Sequence, residues 1–581
     1  MRQFRDKGVA TTSLVPFGYG DGGGGPIREM MERQRRVASL EGSPRVEIEH
    51  PDDFFAAAQA EYPDAPVWVG ELYLELHRGT FTSHAREKRG NREAENRLRE
   101  AELWWTAAAL KGAEYPYEAL DRLWQGVLLQ QFHDILPGSS IQWVHEQNEE
   151  DYAAALAELE RSIAEALAAA GLSAAVVNSA DHARRSLTLD AEGTPLALVE
   201  APALGVASLV PVVPAHPVTA HRDGEDIVLD NGLVRVTVDA RGLVTSIVDL
   251  AENRELVPAG RVANLLQLHQ DLPNAWDAWD IDAHYRYTFD DLDTADAVEL
   301  LVDGDLRARV VVTRSFGTSR LTQTVAVQAD DVRVHFAVDL DWNEREKLLK
   351  ASLPFVVHAH HHSAEIQYGH VRRATHTNTS WEDAKFEVMA HRWVHVEEPG
   401  YGIGVTNAAT YGHDITRTVG ASGEVETEVR LSLVRAANSP DPIQDAGHHT
   451  FAYAVHPGAD IAGVVASGYE QNLPLRRPVV EGTVQPWSVV RSTNEGIRIE
   501  AVKLADDRSG DVIVRAYEAL GRRAATTLVP GFAVASVSEV DLLERPLGAD
   551  MARSRQLAHE SDEIQLELRP FQVVTLRLTR G

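Results

Sequence analysis

Val332-Arg333-Val334-His335-Phe336-Ala337-Val338-Asp339-Leu340 carries a large apolar side chain at every second position. Successive side chains of a strand point to opposite faces, so this period of two predicts a half-buried antiparallel strand. The same pattern extends in both directions. Val234, Val236 and Val238 alternate with Arg235 and Thr237 ahead of a turn at Asp239 to Gly242. Ile564, Leu566 and Leu568, then Val574, Leu576 and Leu578, repeat it near the end. From about residue 175 onward the chain therefore reads as two or more β-sandwich modules.

Upstream the period changes. In residues 92–110, Leu98, Ala101, Trp105 and Ala108 recur at helical spacing. Leu120, Trp124 and Val127/Leu128 do the same, as do Tyr152, Leu156, Leu159, Ile163 and Leu167, with Gly171 placed to cap the third helix. Three helices joined by short loops predict a bundle. The first 80 residues mix signals. Residues 12–18, TSLVPFG, read as a short strand and turn, and Pro26 as the first residue of a helix through REMMERQRRVASL. Residues 67–76, VWVGELYLEL, form a further apolar run. This resembles the end of an α/β domain and is too short to close a barrel. The fold expected is multidomain α+β: 1–80 a remnant of an α/β domain, 81–174 a three-helix bundle, 175–460 a large β-sandwich, and 461–581 a C-terminal β-sandwich.

Composition narrows the function. Lys plus Arg is 56 against 87 Asp plus Glu, a net charge of −31, which disfavours nucleic acid and anionic membrane as partners. Cysteine is absent, which removes disulfides, zinc ribbons and thiol nucleophiles and fits a cytoplasmic setting.

Four places could carry chemistry. Gln130-Gln131-Phe132-His133-Asp134-Ile135-Leu136-Pro137-Gly138-Ser139-Ser140 ends an apolar helix at a Pro-Gly break. His133 there could ligate zinc and Asp134 bind a sugar hydroxyl or orient the ring; equally, His favours a helix C-terminus through the dipole. Gly22 to Gly25 precede a helix, so backbone can approach a ligand closely, and Asp21 at the mouth of that turn could serve as general acid/base or as a local cap. His269-Gln270-Asp271 has a metal-ligand look, and Trp276 and Trp279 beside it could stack on sugars, but a packed loop with buried tryptophans is the expectation. His358, His360, His361 and His362 read as a strand ending in a solvated loop.

Taken together, residues 17–30 (FGYGDGGGGPIREM), 71–92 (ELYLELHRGTFTSHAREKRGNR), 130–140 (QQFHDILPGSS), 266–282 (LQLHQDLPNAWDAWDID) and 375–393 (THTNTSWEDAKFEVMAHRW) resemble the α-mannosidases of glycoside hydrolase family 38, most closely their cytosolic branch. The resemblance implies a catalytic α/β barrel, a three-helix bundle and β-sandwiches, and retaining hydrolysis of α-mannosides by an Asp nucleophile and a second carboxylate as acid/base. It also implies a zinc ion that binds sugar hydroxyls, and mannosyl oligosaccharides as substrates. Carried over, His133 matches a zinc ligand, Asp134 the neighbouring carboxylate that bonds the sugar, and Asp21 the acid/base.

The departures shape what is expected of these 581 residues. The resemblance puts the nucleophile and an early His-x-Asp zinc pair upstream of residue 1, so the segment 1–80 is the tail of the barrel. The zinc site is then incomplete and the chain alone inactive. Residues 1–80 are expected to be the least stable part, with an apolar face that favours homo-oligomers. Asn407-Ala408-Ala409-Thr410 stands where relatives carry Asn-Asp-Ser. The competing class is a non-catalytic carbohydrate-binding or structural β-sandwich protein.

Overall fold

The computed structural model describes residues 4–20, 23–190, 193–421, 423–547, 559–560 and 563–581, and the chain divides into two units, residues 1–72 and 73–581. In the first unit, α1 (Arg28–Val37) and α2 (Pro51–Glu61) are the helices. Pro51 sits at the first turn of α2, where its missing N–H costs nothing, and the His50 ring accepts from the Asp52 N–H. α1 begins two residues after Pro26, with Ile27 as its N-cap. The strand expected at 12–18 is not formed; that stretch and the apolar run 67–76 are irregular, and Val67, Val69 and Leu72 are exposed. None of the described residues 4–72 is buried. An extended run becomes a strand only when a neighbouring strand accepts its backbone hydrogen bonds, and among the described residues none pairs with these.

The second unit opens with the expected bundle: α3 (Ala85–Ala109), α4 (Tyr117–Gln130) and α5 (Gln142–Ala169). Leu98, Ala101 and Ala108 are fully buried as their spacing predicts, while Trp104 takes the core position and Trp105 lies at its edge, donating to Ser162. α3 is buried on almost all sides, polar residues included. Arg99 donates to the carbonyls of Ser179, Ile499 and Glu500, and Glu102 accepts from Trp124. Just past the end of α5, Gly171 has a φ of 68°, which lets Leu172 N–H reach back to the Leu167 carbonyl at 2.7 Å.

From Ala175 the chain is mainly antiparallel sheet, although the segment expected to be all β from 461 opens with a helix, Ile461–Asn472. Nine strands, from Ala297–Asp303 to Gly369–Ala374 at the edges, form one sheet, with Val334–Trp342 near its middle. A six-stranded sheet centred on Lys347–Phe355 and Val425–Arg435 and a five-stranded sheet from Thr219–Asp223 to Arg254–Glu255 share its core. Val334, Phe336, Val338 and Leu340 point into that core, each contributing about 1.5–3 kcal/mol by burial. Two four-stranded sheets, containing Ala524–Pro530 and Val512–Glu518, complete the C-terminal part. Among the described residues no helix is long and apolar enough to cross a membrane.

The six-stranded sheet encloses a set of charges. Lys350 Nζ lies 2.6 Å from Glu387 Oε2, 2.5 Å from Asp414 Oδ2 and 3.0 Å from the Tyr285 hydroxyl, with its side chain wholly removed from solvent. Arg430 donates twice to Asp414, and Ser432 to Glu387. Each charge survives burial because every one has an opposite partner and hydrogen bonds.

Candidate functional site

α4 buries Leu120, Leu123 and Val127 and stops at Gln130, after which residues 131–139 form a run of tight turns. Ile135 N–H donates to Phe132 O, and Gly138 N–H to Ile135 O at 2.8 Å. Gly138 has φ 78°, and a Cβ there would stand 2.6 Å from Ser83 O. Only glycine lets the turn press so closely on the start of α3. Lys88 of α3 donates to Leu136 O at 2.9 Å, tying the same face down. The opposite face is open. His133 is 78% exposed, its Nε2 3.5 Å from Asp134 Oδ2, and Phe132, Leu128, Leu129 and Trp143 are exposed with it. The Pro-Gly break thus fixes a turn that presents His133 and Asp134 side by side. No set of three ligand groups among the described residues includes His133, so of the zinc ligands the resemblance implies, His133 stands alone here. Asp21 lies outside the described residues; of those described nearby in sequence, Tyr19 N–H donates to Gly25 O at 2.8 Å.

The structure gathers a second group that the sequence reading missed. His84, Glu87 and His145 each offer a ligand atom, all within 4.8 Å of one another, and all three are buried. His84 precedes α3 with φ 56°, a left-handed position held by the Asp445 carboxylate, which accepts the N–H groups of His84 and Ala85 at 2.8 Å. Glu87 follows one turn later, and His145 comes from the first turn of α5. The two imidazoles stack with centroids 3.6 Å apart, and His145 Nδ1 meets Glu87 Oε1 at 2.5 Å. Burial pushes the Glu87 carboxyl up to about 7, against the pull of His145 and Lys88. Burial, with His145 and Lys88 nearby, holds His84 well below its ordinary value. The available signal was His84-x-x-Glu87, one turn apart on a helix; finding His145 required knowing that α3 packs on α5.

The remaining candidates separate. His269 is buried against Tyr285 and Phe289, and burial with Lys350 nearby holds its imidazole down to about 3. Asp271 pairs instead with Arg435 at 2.7 Å, so the His269/Asp271 triplet does not converge on a metal. The tryptophan loop is not packed as expected: Trp276, at φ 64°, is 65% exposed, and Trp279 is half-buried, edge-on to it. The chain rises onto the surface there because Ala278 and Asp280 are its anchors, Ala278 N–H donating to Ser439 O and Asp280 pairing with Arg78. His358, His360 and His361 are exposed, and His362 turns inward against His413. Asn407 makes the turn that follows it, accepting from Thr410 N–H and donating to His391 O, so Ala408 and Ala409 sit at the tip of a hydrogen-bonded corner. A cavity of about 830 Å³ opens beside α3, lined among others by Arg92, Glu95, Trp124, Tyr368 and Arg392. It contains neither His133 nor Asp134.

Comparison with known proteins supplies the context for this geometry. Residues 1–71 match the glycosyl hydrolases family 38 N-terminal domain and residues 75–169 the alpha mannosidase middle domain. Residues 229–443 match the family 38 C-terminal domain, and residues 496–576 the family 38 C-terminal beta sandwich domain. The chain is 36% identical over 603 aligned residues to "Alpha-mannosidase 2C1" of Homo sapiens, covering 99% of this chain and 56% of the relative. It is 34% identical over 608 residues to the Mus musculus protein of the same name, again covering 99% and 56%. It thus spans about half the length of the curated relatives it matches. The crystal structure of an alpha-mannosidase from Enterococcus faecalis V583 shares the fold, with a TM-score of 0.74 at 14% identity over 95% of this chain and 74% of that one.

Proposed function

Because this chain belongs to glycosyl hydrolase family 38, whose N-terminal, middle and two C-terminal domains follow one another along it, we propose that it serves an α-mannosidase that hydrolyses terminal α-mannosides of oligosaccharides with retention. The observation that carries the reading is the turn pinned by Gly138, which presents His133 and Asp134 together on an open face. In this reading His133 is one ligand of a zinc ion, Asp134 accepts from a sugar hydroxyl and Asp21 is the acid/base. The nucleophile and the other ligands come from sequence outside these 581 residues. The partition at residues 80, 174 and 460 belongs to the same proposal, supported by the change from helix to strand at Ala175. So do a cytoplasmic setting, in line with the absence of cysteine, and a homo-oligomer, in line with the exposed apolar residues of the first unit.

An aryl α-mannoside assay tests it. No turnover by the 581-residue chain is expected, and turnover after upstream sequence is joined to it, abolished there by His133→Ala. Turnover by the chain alone would overturn the assignment of the nucleophile to outside sequence. One observation favours a second reading, a carbohydrate-binding module: the exposed Trp276 ring could stack on a sugar. Mannotriose binding lost in Trp276→Ala, with no hydrolysis in the extended protein, would favour that reading.

A further inference from the structure

His84, Glu87 and His145 are buried with polar atoms that have no partner. Both ring nitrogens of His84, Oε2 of Glu87 and Nε2 of His145 lack a hydrogen bond. A buried polar atom left unsatisfied costs about 1–3 kcal/mol, and four gathered at one place call for a ligand. The His84 ring lies 3.4 Å through Nε2 from Asp441 Oδ2, without making a hydrogen bond, and that carboxylate is itself buried. Two ligands of a tetrahedral zinc stand about 3.3 Å apart, since each sits about 2.0–2.2 Å from the ion. The charges point the same way. Glu87, Asp441 and Asp445 are three buried carboxylates; of the buried cations nearby, Arg435 is paired with Asp271, which leaves Lys88, and Arg86 is engaged with Glu149 and His449. Fully ionised, three carboxylates against one ammonium leave two negative charges, which one divalent cation neutralises.

We propose that His84, Glu87 and His145, with Asp441 as the fourth ligand, hold a structural zinc ion. Two imidazoles and two carboxylates suit zinc, and a closed set of four protein ligands marks a structural rather than a hydrolytic site. The ion would clamp the start of α3 to the start of α5 and both to the segment around Asp441. This site is separate from His133 and independent of the mannosidase reading.

The test uses the 581-residue chain, stripped with a strong chelator, dialysed, and titrated with zinc chloride alone. Elemental analysis after gel filtration is expected to find one zinc per chain. His133→Ala should keep it, and Glu87→Gln should bind it about 100-fold more weakly or worse. Cobalt chloride in place of zinc should give the intense visible bands of a tetrahedral site, absent in His145→Gln. Circular dichroism checks each variant; if His145→Gln does not fold, Glu87→Gln, which keeps the side-chain shape, decides alone. Folded wild-type chain that takes up less than about 0.1 equivalent of zinc would overturn the proposal. So would zinc that is lost in His133→Ala and retained in Glu87→Gln, which would mark His133 as the ligand and the buried cluster as packing only.

Discussion

Replacing Lys350 by Met keeps the length of the side chain and removes its charge, which isolates what the ammonium does inside the six-stranded sheet. In the native protein it meets Glu387 at 2.6 Å and Asp414 at 2.5 Å. The two carboxylates would not suffer equally. Asp414 keeps Arg430, bonded through two nitrogens at 2.9 and 3.0 Å. Glu387 keeps only the hydroxyls of Tyr285 and Ser432, which cannot balance a charge. One carboxylate is therefore orphaned rather than two, placing the cost near the lower end of the range for breaking a buried pair, about 3 kcal/mol. Urea unfolding can be followed through the buried Trp342 and Trp393 of the same sandwich. For a slope of about 3 kcal/mol/M, the transition should move down by about 1 M. The double variant Lys350→Met/Glu387→Gln should recover much of the loss, because the orphaned charge is gone. A midpoint within about 0.3 M of wild type for the single variant would refute the reasoning, since Glu387 would then need no counter-charge.

Gly138→Ala should destabilise the bundle by about 2 kcal/mol or more, from the left-handed φ and the contact with Ser83 O; an unchanged melting curve would mean the turn relaxes freely. Glu470 sits 2.8 Å from Arg333 and 2.9 Å from His182, and although burial raises its carboxyl, these partners bring it down to about 2 from an ordinary 4.5. Its contribution is complete above pH 4.5 and is lost as pH falls toward 2, because the unfolded chain takes up the proton first. Denaturant midpoints between those pH values should fall less steeply for Glu470→Gln than for wild type, and parallel slopes would count against the pairing.

The sequence made the bundle and the strands readable because both follow from apolar periodicity, and Leu98, Ile163, Phe336 and Leu576 are buried where their spacing put them. The polar interior was not readable. Arg99, Glu100 and Glu102 lie on faces of α3 that a stripe of Leu98, Ala101 and Ala108 assigns to water, yet a central helix is covered on every side and those charges find partners from distant segments. Lys350, Glu387 and Asp414 are separated by tens of residues, and successive strand pairings make them neighbours: Lys350 stands opposite Ser432, Asp414 opposite Arg430, and Val388, next to Glu387, opposite His413. His84 and His145 share that difficulty. His133 and Asp134 were visible because adjacent residues before a Pro-Gly turn need no tertiary information to be placed together. In the first unit the expected strand at 12–18 is absent, since a favourable local pattern says nothing of whether a partner strand is present.

The burial of α3 has a consequence for how the protein comes into being. Leu98 and Trp104 share one hydrophobic cluster with Ile499, Val514 and Leu576, and the Arg99 guanidinium is satisfied in part by the carbonyls of Ile499 and Glu500. During synthesis, α3 leaves the ribosome long before these partners exist. At about 5–20 residues per second, the interval between residue 109 and residue 497 is about 20–80 s. Throughout that time a central helix of the molecule has one flank uncovered, so a nascent chain must either be shielded by a chaperone or keep its bundle loosely packed until the last sandwich closes over it.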